Sequence, residues 1–170
     1  MKLIEANKFV IFSVIGVVAL LYSLNVFAFG QEVNSCNFIK AKADMFQQAI
    51  DDFGAISPDE AAFLWAKGVK GRNGALQYAV MDSNLKKAFN DNMEKERPSW
   101  VTGVSSPWVE YFEIVKSEKE DDSTYYITVR FDLATSTGSA GSYNTCLLIV
   151  KDGKYWVIEK IAGDSQFGAF

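Results

Sequence analysis

The side chains able to do covalent or metal chemistry are few in this sequence, and their types exclude several kinds of site. The chain of 170 residues contains no histidine, which removes imidazole general bases, Ser-His and Cys-His nucleophile pairs and most zinc sites. Two cysteines, Cys36 and Cys146, form an even pair. In an oxidising compartment a disulfide between them would close a loop of roughly 110 residues and stabilise the fold by about 4 kcal/mol in the chain-entropy model. Two unpaired thiols are the alternative.

The charged residues show no catalytic or metal-binding pattern. The acidic run Glu118 to Asp122 lacks the regular spacing, central glycine and terminal glutamate of an EF-hand, so we interpret residues 118–123 as a solvated hairpin turn. Asp132 and Arg130 are interpreted as a paired surface carboxylate and its cation. The formal net charge is −4, without a basic stripe, which argues against a nucleic-acid partner. No cofactor and no metal are predicted.

The first 30 residues are predicted to direct the chain to a membrane. Residues 9–29 carry no charge and follow Lys2 and Lys8, and such a run is long enough to cross roughly 30 Å of hydrocarbon. The lysines favour a cytoplasmic N-terminus, so the rest of the chain is expected to be extracytoplasmic. Ala28 and Gly30 also fit the −3 and −1 positions of a signal peptidase site. A retained membrane anchor and a cleaved signal peptide of a secreted protein both stay open.

Helical periodicity dominates the next part of the chain. The predicted helices are residues 34–53, a helix from Ser57 to near Gly68 or Gly71, a short helix over residues 75–81, and a helix that begins at Asp82 or Ser83 and ends before Pro98. The second of these begins with Ser57-Pro58-Asp59-Glu60, which has the form of a capping box with proline at the first helical position.

After Trp100 the periodicity changes to that of β-strands. The predicted strands are residues 108–116, residues 125–133, a third that ends at Lys151 after a loop over residues 134–142, and a fourth after an Asp152-Gly153 turn. In the second strand Ile127, Val129 and Phe131 alternate with polar residues, which predicts that their side faces the core. A type I′ turn at Asp152-Gly153 would place Ile149 opposite Trp156.

Three helices and one short helical turn, followed by an antiparallel meander, predict an α+β fold, with the helices packed over one face of a curved sheet of about four strands. One apolar N-terminal helix is expected to precede this fold. The predicted organisation is a signal peptide or membrane anchor over residues 1–30, a leading helix and linker over residues 31–56, and the α+β domain over residues 57–170.

Three segments carry a resemblance to a known family: DEAAFLWAKGVKGRNGALQYAVMDSNLK, SSPWVEYFEI and FDLATSTGSAGSYNT. They resemble segments of extracytoplasmic NTF2-like proteins of Gram-positive bacteria. The order and lengths of the elements also resemble the NTF2-like cone fold that is shared with the cystatin-like superfamily. The resemblance covers about residues 57 to 161. It implies a fold and a location, and its motifs carry no chemistry.

The resemblance also implies where a site would lie. Enzymes on NTF2-like scaffolds work inside the cone, with an Asp or His base and a Tyr or Asp donor. Trp65, Tyr78 and Tyr111 are the candidate pocket residues, with Glu113 at the mouth, and core packing is the alternative for these aromatic side chains. The second strand turns only apolar side chains toward that space. An isomerase- or dehydratase-like activity is therefore the lesser alternative, and no catalytic residue is assigned.

Aromatic residues on the other side of the predicted sheet suggest an interaction surface. The candidate interaction face comprises Trp108, Phe112, Tyr126 and Trp156. NTF2-like domains commonly dimerise through that face, so the resemblance implies a homodimer, while aromatic side chains covered by the third strand or the C-terminal tail are the alternative. We predict a non-enzymatic extracytoplasmic binding or interaction module for a protein partner, an envelope component or a small apolar ligand. A structural domain of an envelope or secretion assembly is a further alternative.

Overall fold

The computed structural model describes residues 37–97, 99–103 and 106–163. The predicted signal peptide or membrane anchor lies outside these residues, as does Cys36. The described residues form four helices and one open four-stranded antiparallel sheet, which confirms the α+β class. The chain divides into two units, Met1–Gln48 and Ala49–Phe170. Among the described helices, none combines the length and the apolar character needed to cross a bilayer.

Two of the described helices, the ones capped by Ser57 and Asp82, begin where their caps predict. The described helices are α1 over residues 37–51, α2 (Pro58–Lys70), α3 (Gly74–Ala79) and α4 (Ser83–Glu96). At the start of α2, Ser57 Oγ accepts a hydrogen bond of 3.1 Å from the backbone N–H of Glu60. Glu60 Oε2 accepts one of 2.8 Å from the N–H of Ile56, one residue before the position that an ideal capping box uses. Asp82 caps α4 by accepting from the N–H of Leu85 at 2.7 Å, and such a cap contributes about 1 kcal/mol.

The four strands form an up-and-down meander in sequence order. They are β1 (Trp108–Asp121), β2 (Thr124–Thr135), β3 (Gly138–Asp152) and β4 (Tyr155–Gly163). Two predicted connections were too long. The loop predicted over residues 134–142 is a turn of residues 136 and 137 only. Glu118 and Lys119 pair with Tyr126 and Tyr125, so most of the acidic run belongs to β1 and the turn comprises Asp122 and Ser123 only. Ladder hydrogen bonds keep this charged segment extended while its side chains stay in water.

The last hairpin has a different register from the predicted one. Its turn comprises Gly153 and Lys154, and Ile149 pairs with Ile158 rather than with Trp156. Gly153 has a φ of 59°, whereas the φ of Lys154 is not positive. A positive φ at the first turn residue alone is typical of a type II′ turn, since type I′ requires it at both. The two registers differ by two residues along β4, so both place the same side chains on the same face. Side-chain alternation therefore could not distinguish them.

The predicted core side of β2 is confirmed. Ile127, Val129 and Phe131 are fully buried and pack into one cluster with residues of α2, α3 and α4. We call this side of the sheet the helix-facing side and the opposite side the outer face. The remaining large members of the core are Trp65, Tyr78, Met81, Phe89, Met93, Leu147, Ile149, Trp156 and Ile158. Burial of apolar area at about 25 cal/mol per Å² makes this cluster the main stabilising element.

The two edge strands of the sheet, β1 and β4, differ in their backbone hydrogen bonding. At β4, the backbone N–H of Trp156 donates to the carbonyl of Ala55 and that of Ile158 to the carbonyl of Val80, both at 2.8 Å. These contacts cover the edge of β4 with earlier parts of the chain. Gly54 lies so close to the Tyr155 ring that any side chain there would collide with it. Within the described residues, β1 pairs with β2 only.

Candidate functional site

An aromatic row crosses three strands on the helix-facing side of the sheet. Phe112 pairs with Phe131, and Phe131 pairs with Tyr143, so the three side chains stand side by side. The ring centroids of Phe112 and Phe131 are 6.2 Å apart, and those of Phe131 and Tyr143 are 5.0 Å apart and nearly parallel. These separations are within the range of favourable ring-ring contact.

Helix α2 adds two rings to this row. Trp65 meets Phe131 edge-on with centroids 5.9 Å apart, and Phe63 contacts Phe112 at 5.6 Å. We call Phe63, Trp65, Phe112, Phe131 and Tyr143 the aromatic cluster. Phe131 is fully buried, whereas 49% of Phe63 is exposed. The aromatic cluster therefore extends from the core to the solvent.

Trp65 carries the most unusual polar group of the aromatic cluster. Its side chain is only 4% exposed, and its indole Nε1–H has no hydrogen-bond partner among the described residues. Leaving a buried donor unsatisfied costs about 1–3 kcal/mol, and tryptophan usually finds a partner when it is buried. An acceptor from an ordered water or from a bound molecule would satisfy this N–H.

Tyr143 supplies the phenol of the aromatic cluster. Burial raises the pKa of Tyr143 to about 12, because the charged phenolate is disfavoured away from water. The hydroxyl therefore stays protonated at neutral pH. It can take part in hydrogen bonding, but it is poorly suited to act as a general base.

The three residues of the predicted pocket do not meet in one site. Trp65 belongs to the aromatic cluster, while Tyr78 packs elsewhere in the core, against Trp100 at 5.2 Å and below the ammonium of Lys86 at 5.0 Å. Tyr111 pairs with Asp132 and is 53% exposed. A β-bulge between Val109 and Tyr111 adds one residue, which turns Tyr111 to the outer face.

The four residues of the predicted interaction face do not share one face either. Phe112 belongs to the aromatic cluster on the helix-facing side, and Trp156 is buried in the core, where its ring meets that of Tyr125 at 5.3 Å. Trp108 and Tyr126 remain partly exposed, and their strand partners place them on the outer face. The bulge next to Val109 explains why Trp108 and Phe112 lie on opposite faces, since it adds one residue to β1 between them.

The outer face carries the charged pair that the alternation of β2 predicts. The Arg130 guanidinium lies 3.0 Å from Asp132 Oδ1 and 3.7 Å from Glu113 Oε1, and all three side chains are substantially exposed. Solvent-exposed pairs of this kind contribute at most about 1 kcal/mol. Glu113, which was expected at the mouth of a cone site, thus lies with Asp132 on the side of the sheet away from the aromatic cluster.

The predicted disulfide stays a prediction. Cys146 lies on β3 opposite Thr128, on the outer face, and is partly exposed. Its proposed partner Cys36 is outside the described residues. Across residues 37–97, 99–103 and 106–163, no group of three or more cysteine, aspartate or glutamate side chains is placed to share a metal ion.

Sequence reasoning missed most of the aromatic cluster as a site. Phe131 was placed on the correct side of β2, but Phe63 was not assigned to any site, and Tyr143 came directly after a predicted loop. The signal that could have found them is the cross-strand register, which aligns Phe112, Phe131 and Tyr143. That register depends on bulges, which leave no clear mark in the sequence.

Comparisons with known proteins add no identification. No protein-family model matches the chain, and no curated protein shows significant similarity to it.

Proposed function

We propose that this protein is a non-enzymatic extracytoplasmic binding module with an NTF2-like fold, whose aromatic cluster binds a small apolar ligand. Residues 9–29 would hold it at the membrane, or the module would be secreted after cleavage near Gly30. The observation that carries the proposal is the buried, unpartnered indole N–H of Trp65 inside a cluster of rings. Small-molecule sites are mostly apolar, with a few polar groups that fix orientation.

The aromatic cluster defines the chemistry of the ligand. Phe63, Phe112 and Tyr143 are incompletely buried, so their rings can cover an apolar molecule that enters from the solvent side. The Trp65 N–H would donate to one acceptor oxygen of that molecule. We infer a largely apolar ligand with a single carbonyl, ether or hydroxyl oxygen.

The same arrangement disfavours the isomerase- or dehydratase-like alternative. Such chemistry needs a base within hydrogen-bond reach of the substrate. Glu113, the carboxylate expected at the cone mouth, lies on the outer face together with Asp132, and both are paired with Arg130. The raised pKa of Tyr143 makes loss of its proton even less favourable than for an ordinary phenol, so Tyr143 offers no base at neutral pH.

NMR of the full chain, labelled on the tryptophan indole nitrogens and embedded in lipid nanodiscs, would test the proposal. We expect a medium-chain methyl ketone to shift the Trp65 resonance, and to bind about tenfold more tightly than the matching alkane, since one hydrogen bond to an otherwise unsatisfied donor contributes about 1 kcal/mol or more. Trp65→Phe should remove this preference, whereas Trp108→Phe on the outer face should keep it. Equal binding of ketone and alkane, or no response of Trp65, would contradict the proposal.

A second candidate function is association through the outer face. Tyr126 pairs with Leu148, and Val150 pairs with Val157, so an apolar band crosses β2, β3 and β4 on that face. This band supports a homodimer through the sheet face or docking on a partner of an envelope assembly. Leu148→Glu should convert a dimer into a monomer in light scattering, and a chain that is monomeric before the change would refute the homodimer.

A further inference from the structure

Helix α1 carries an exposed apolar face over residues 37–48. Its large apolar side chains are strongly exposed: Phe38 by 81%, Ile39 by 66%, Met45 by 71% and Phe46 by 60%. Helical periodicity places these four on one side of α1 and Lys40, Asp44 and Gln47 on the other. Scattered exposed apolar residues are ordinary, but a contiguous apolar face marks a contact surface.

We propose that α1 lies along the membrane surface, with its apolar face in the boundary between lipid headgroups and acyl chains. The inference rests on the anchored form of the proposed function. It goes beyond that function because it assigns lipid contact to a segment outside the apolar run of residues 9–29. Amphipathic helices bind in this way when one face is apolar and aromatic and the other is polar.

The distance along the chain supports lipid as the occupant. Seven residues, 30–36, separate the apolar run from residue 37, the first described residue of α1, and a chain of that length spans at most about 25 Å. At 1.5 Å per residue, α1 itself is about 22 Å long. When residues 9–29 cross the bilayer, residue 37 cannot leave the neighbourhood of the lipid headgroups.

Lys42 favours lipid over a second copy of the helix. It falls within the apolar side of α1, and its ammonium lies 5.7 Å from the centre of the Phe46 ring. A lysine among apolar side chains at a membrane surface can extend its ammonium toward the headgroups while its methylenes stay in the apolar layer. In a symmetric pairing of two such faces, the two Lys42 side chains would repel each other in a poorly hydrated contact.

The small net charge of residues 37–48 predicts a limited role for anionic lipid. Lys40 and Asp44 offset each other, which leaves Lys42 as the one uncompensated charge over residues 37–48. Attraction to anionic headgroups amounts to about 1 kcal/mol per basic residue. Insertion of α1 should therefore occur in neutral phosphatidylcholine and should change little when phosphatidylserine is added.

Depth-dependent fluorescence of the full chain in phosphatidylcholine vesicles tests the inference. In a Cys36→Ser/Cys146→Ser background, single cysteines at Phe46→Cys, Gln47→Cys and Lys87→Cys carry an environment-sensitive label. Position 47 is the matched control on the polar side of α1, and position 87 is an exposed site on α4. We expect the label at 46 to be blue-shifted, quenched by lipid-bound nitroxide, and roughly fivefold less quenched by iodide than the label at 47.

The outcomes separate this inference from the proposed function. Release of the chain by alkaline carbonate would overturn the anchored form and this inference together. Retention of the chain with equal iodide quenching at 46 and 47 would overturn the inference alone. A blue-shifted label at 46 that nitroxide lipids do not quench would indicate contact with a protein surface instead of lipid. This result would also overturn the inference. Unchanged ligand binding by the aromatic cluster would show that the proposed function survives.

Discussion

The two faces of the sheet share one backbone ladder but differ in almost every other respect. The helix-facing side presents Phe131, Leu147 and Ile149, all fully buried, whereas the outer face presents the Arg130 ion pairs and a partly exposed apolar band. Because apolar burial dominates folding energetics, the stability of the domain depends on the helix-facing side. The outer face can therefore carry charge, or a partner, at little cost to the fold.

Truncation of Phe131 should give the largest contrast between the faces. Phe131→Ala leaves a cavity between α2 and the sheet and is expected to reduce the free energy of unfolding by about 3–5 kcal/mol. Tyr126→Ala changes a residue of the same strand on the outer face, and it should reduce the free energy of unfolding by less than about 1 kcal/mol. Urea denaturation followed by circular dichroism measures both values, and similar losses would refute the assignment of faces.

The adjacent leucines of β3 provide the closest matched pair. Leu147 is fully buried, whereas Leu148 lies on the outer face opposite Tyr126. We expect Leu147→Ala to destabilise by about 2–5 kcal/mol and Leu148→Ala by about 1 kcal/mol or less in a monomer. If Leu148→Ala is as damaging as Leu147→Ala at low protein concentration, the outer face must be covered by part of the same chain.

The tyrosines of the two faces should titrate for different reasons. The pKa of Tyr143 is raised by burial to about 12, while that of Tyr126 is raised chiefly by the neighbouring charge of Glu120. Glu120→Gln should therefore lower the pKa of Tyr126 and leave that of Tyr143 unchanged. Phenolate absorbance measures both values, and each is assigned by comparison with a variant in which that tyrosine is replaced by phenylalanine. An equal change of both pKa values in Glu120→Gln would contradict the different causes assigned to the two tyrosines.

The raised pKa of Tyr143 also sets a pH window for stability. Folded Tyr143 keeps its proton in the range where the unfolded residue, with a pKa near 10.0, loses it. Its contribution is therefore full below pH 10 and is lost as the pH rises toward about 12. Urea denaturation should show this loss diminished in Tyr143→Phe, and an unchanged pH dependence would contradict the assignment.

The ion pairs of the outer face should give the smallest effect. Arg130→Met removes the contacts to Asp132 and Glu113, and the expected loss is at most about 1 kcal/mol. Because exposed charges are screened, the difference from the unchanged protein should nearly vanish in about 1 M salt, where the Debye length is about 3 Å. A loss that persists in high salt would indicate that Arg130 stabilises the sheet by packing.

Local signals in the sequence predicted most of the elements, and the alternation of β2 predicted the core side. Ser57 and Asp82 cap their helices through short-range hydrogen bonds, which depend on neighbouring residues alone. The faces of β1 could not be predicted, since bulges such as the one next to Val109 change the parity of all later side chains. Leu147, Leu148, Ile149 and Val150 form an unbroken apolar run, so β3 offered no alternation from which to place Trp156.

The aromatic cluster depended on these unpredictable registers, because its rings come from α2 and three separate strands. The unpartnered Trp65 N–H could not have been anticipated at all. It is a property of the packed structure and has no counterpart in residue type or spacing.

The covered edge of β4 bears on the order in which the chain can fold. Ala55 and Val80 find their backbone partners at Trp156 and Ile158, which are made well after the helices when the chain is synthesised or threaded through a channel. Contacts so distant in sequence form slowly. Until β4 arrives, the apolar side of α2 has no complete sheet to close against. The helical half is therefore expected to stay open during synthesis, and a chain that stops before Tyr155 should be degraded rather than accumulate.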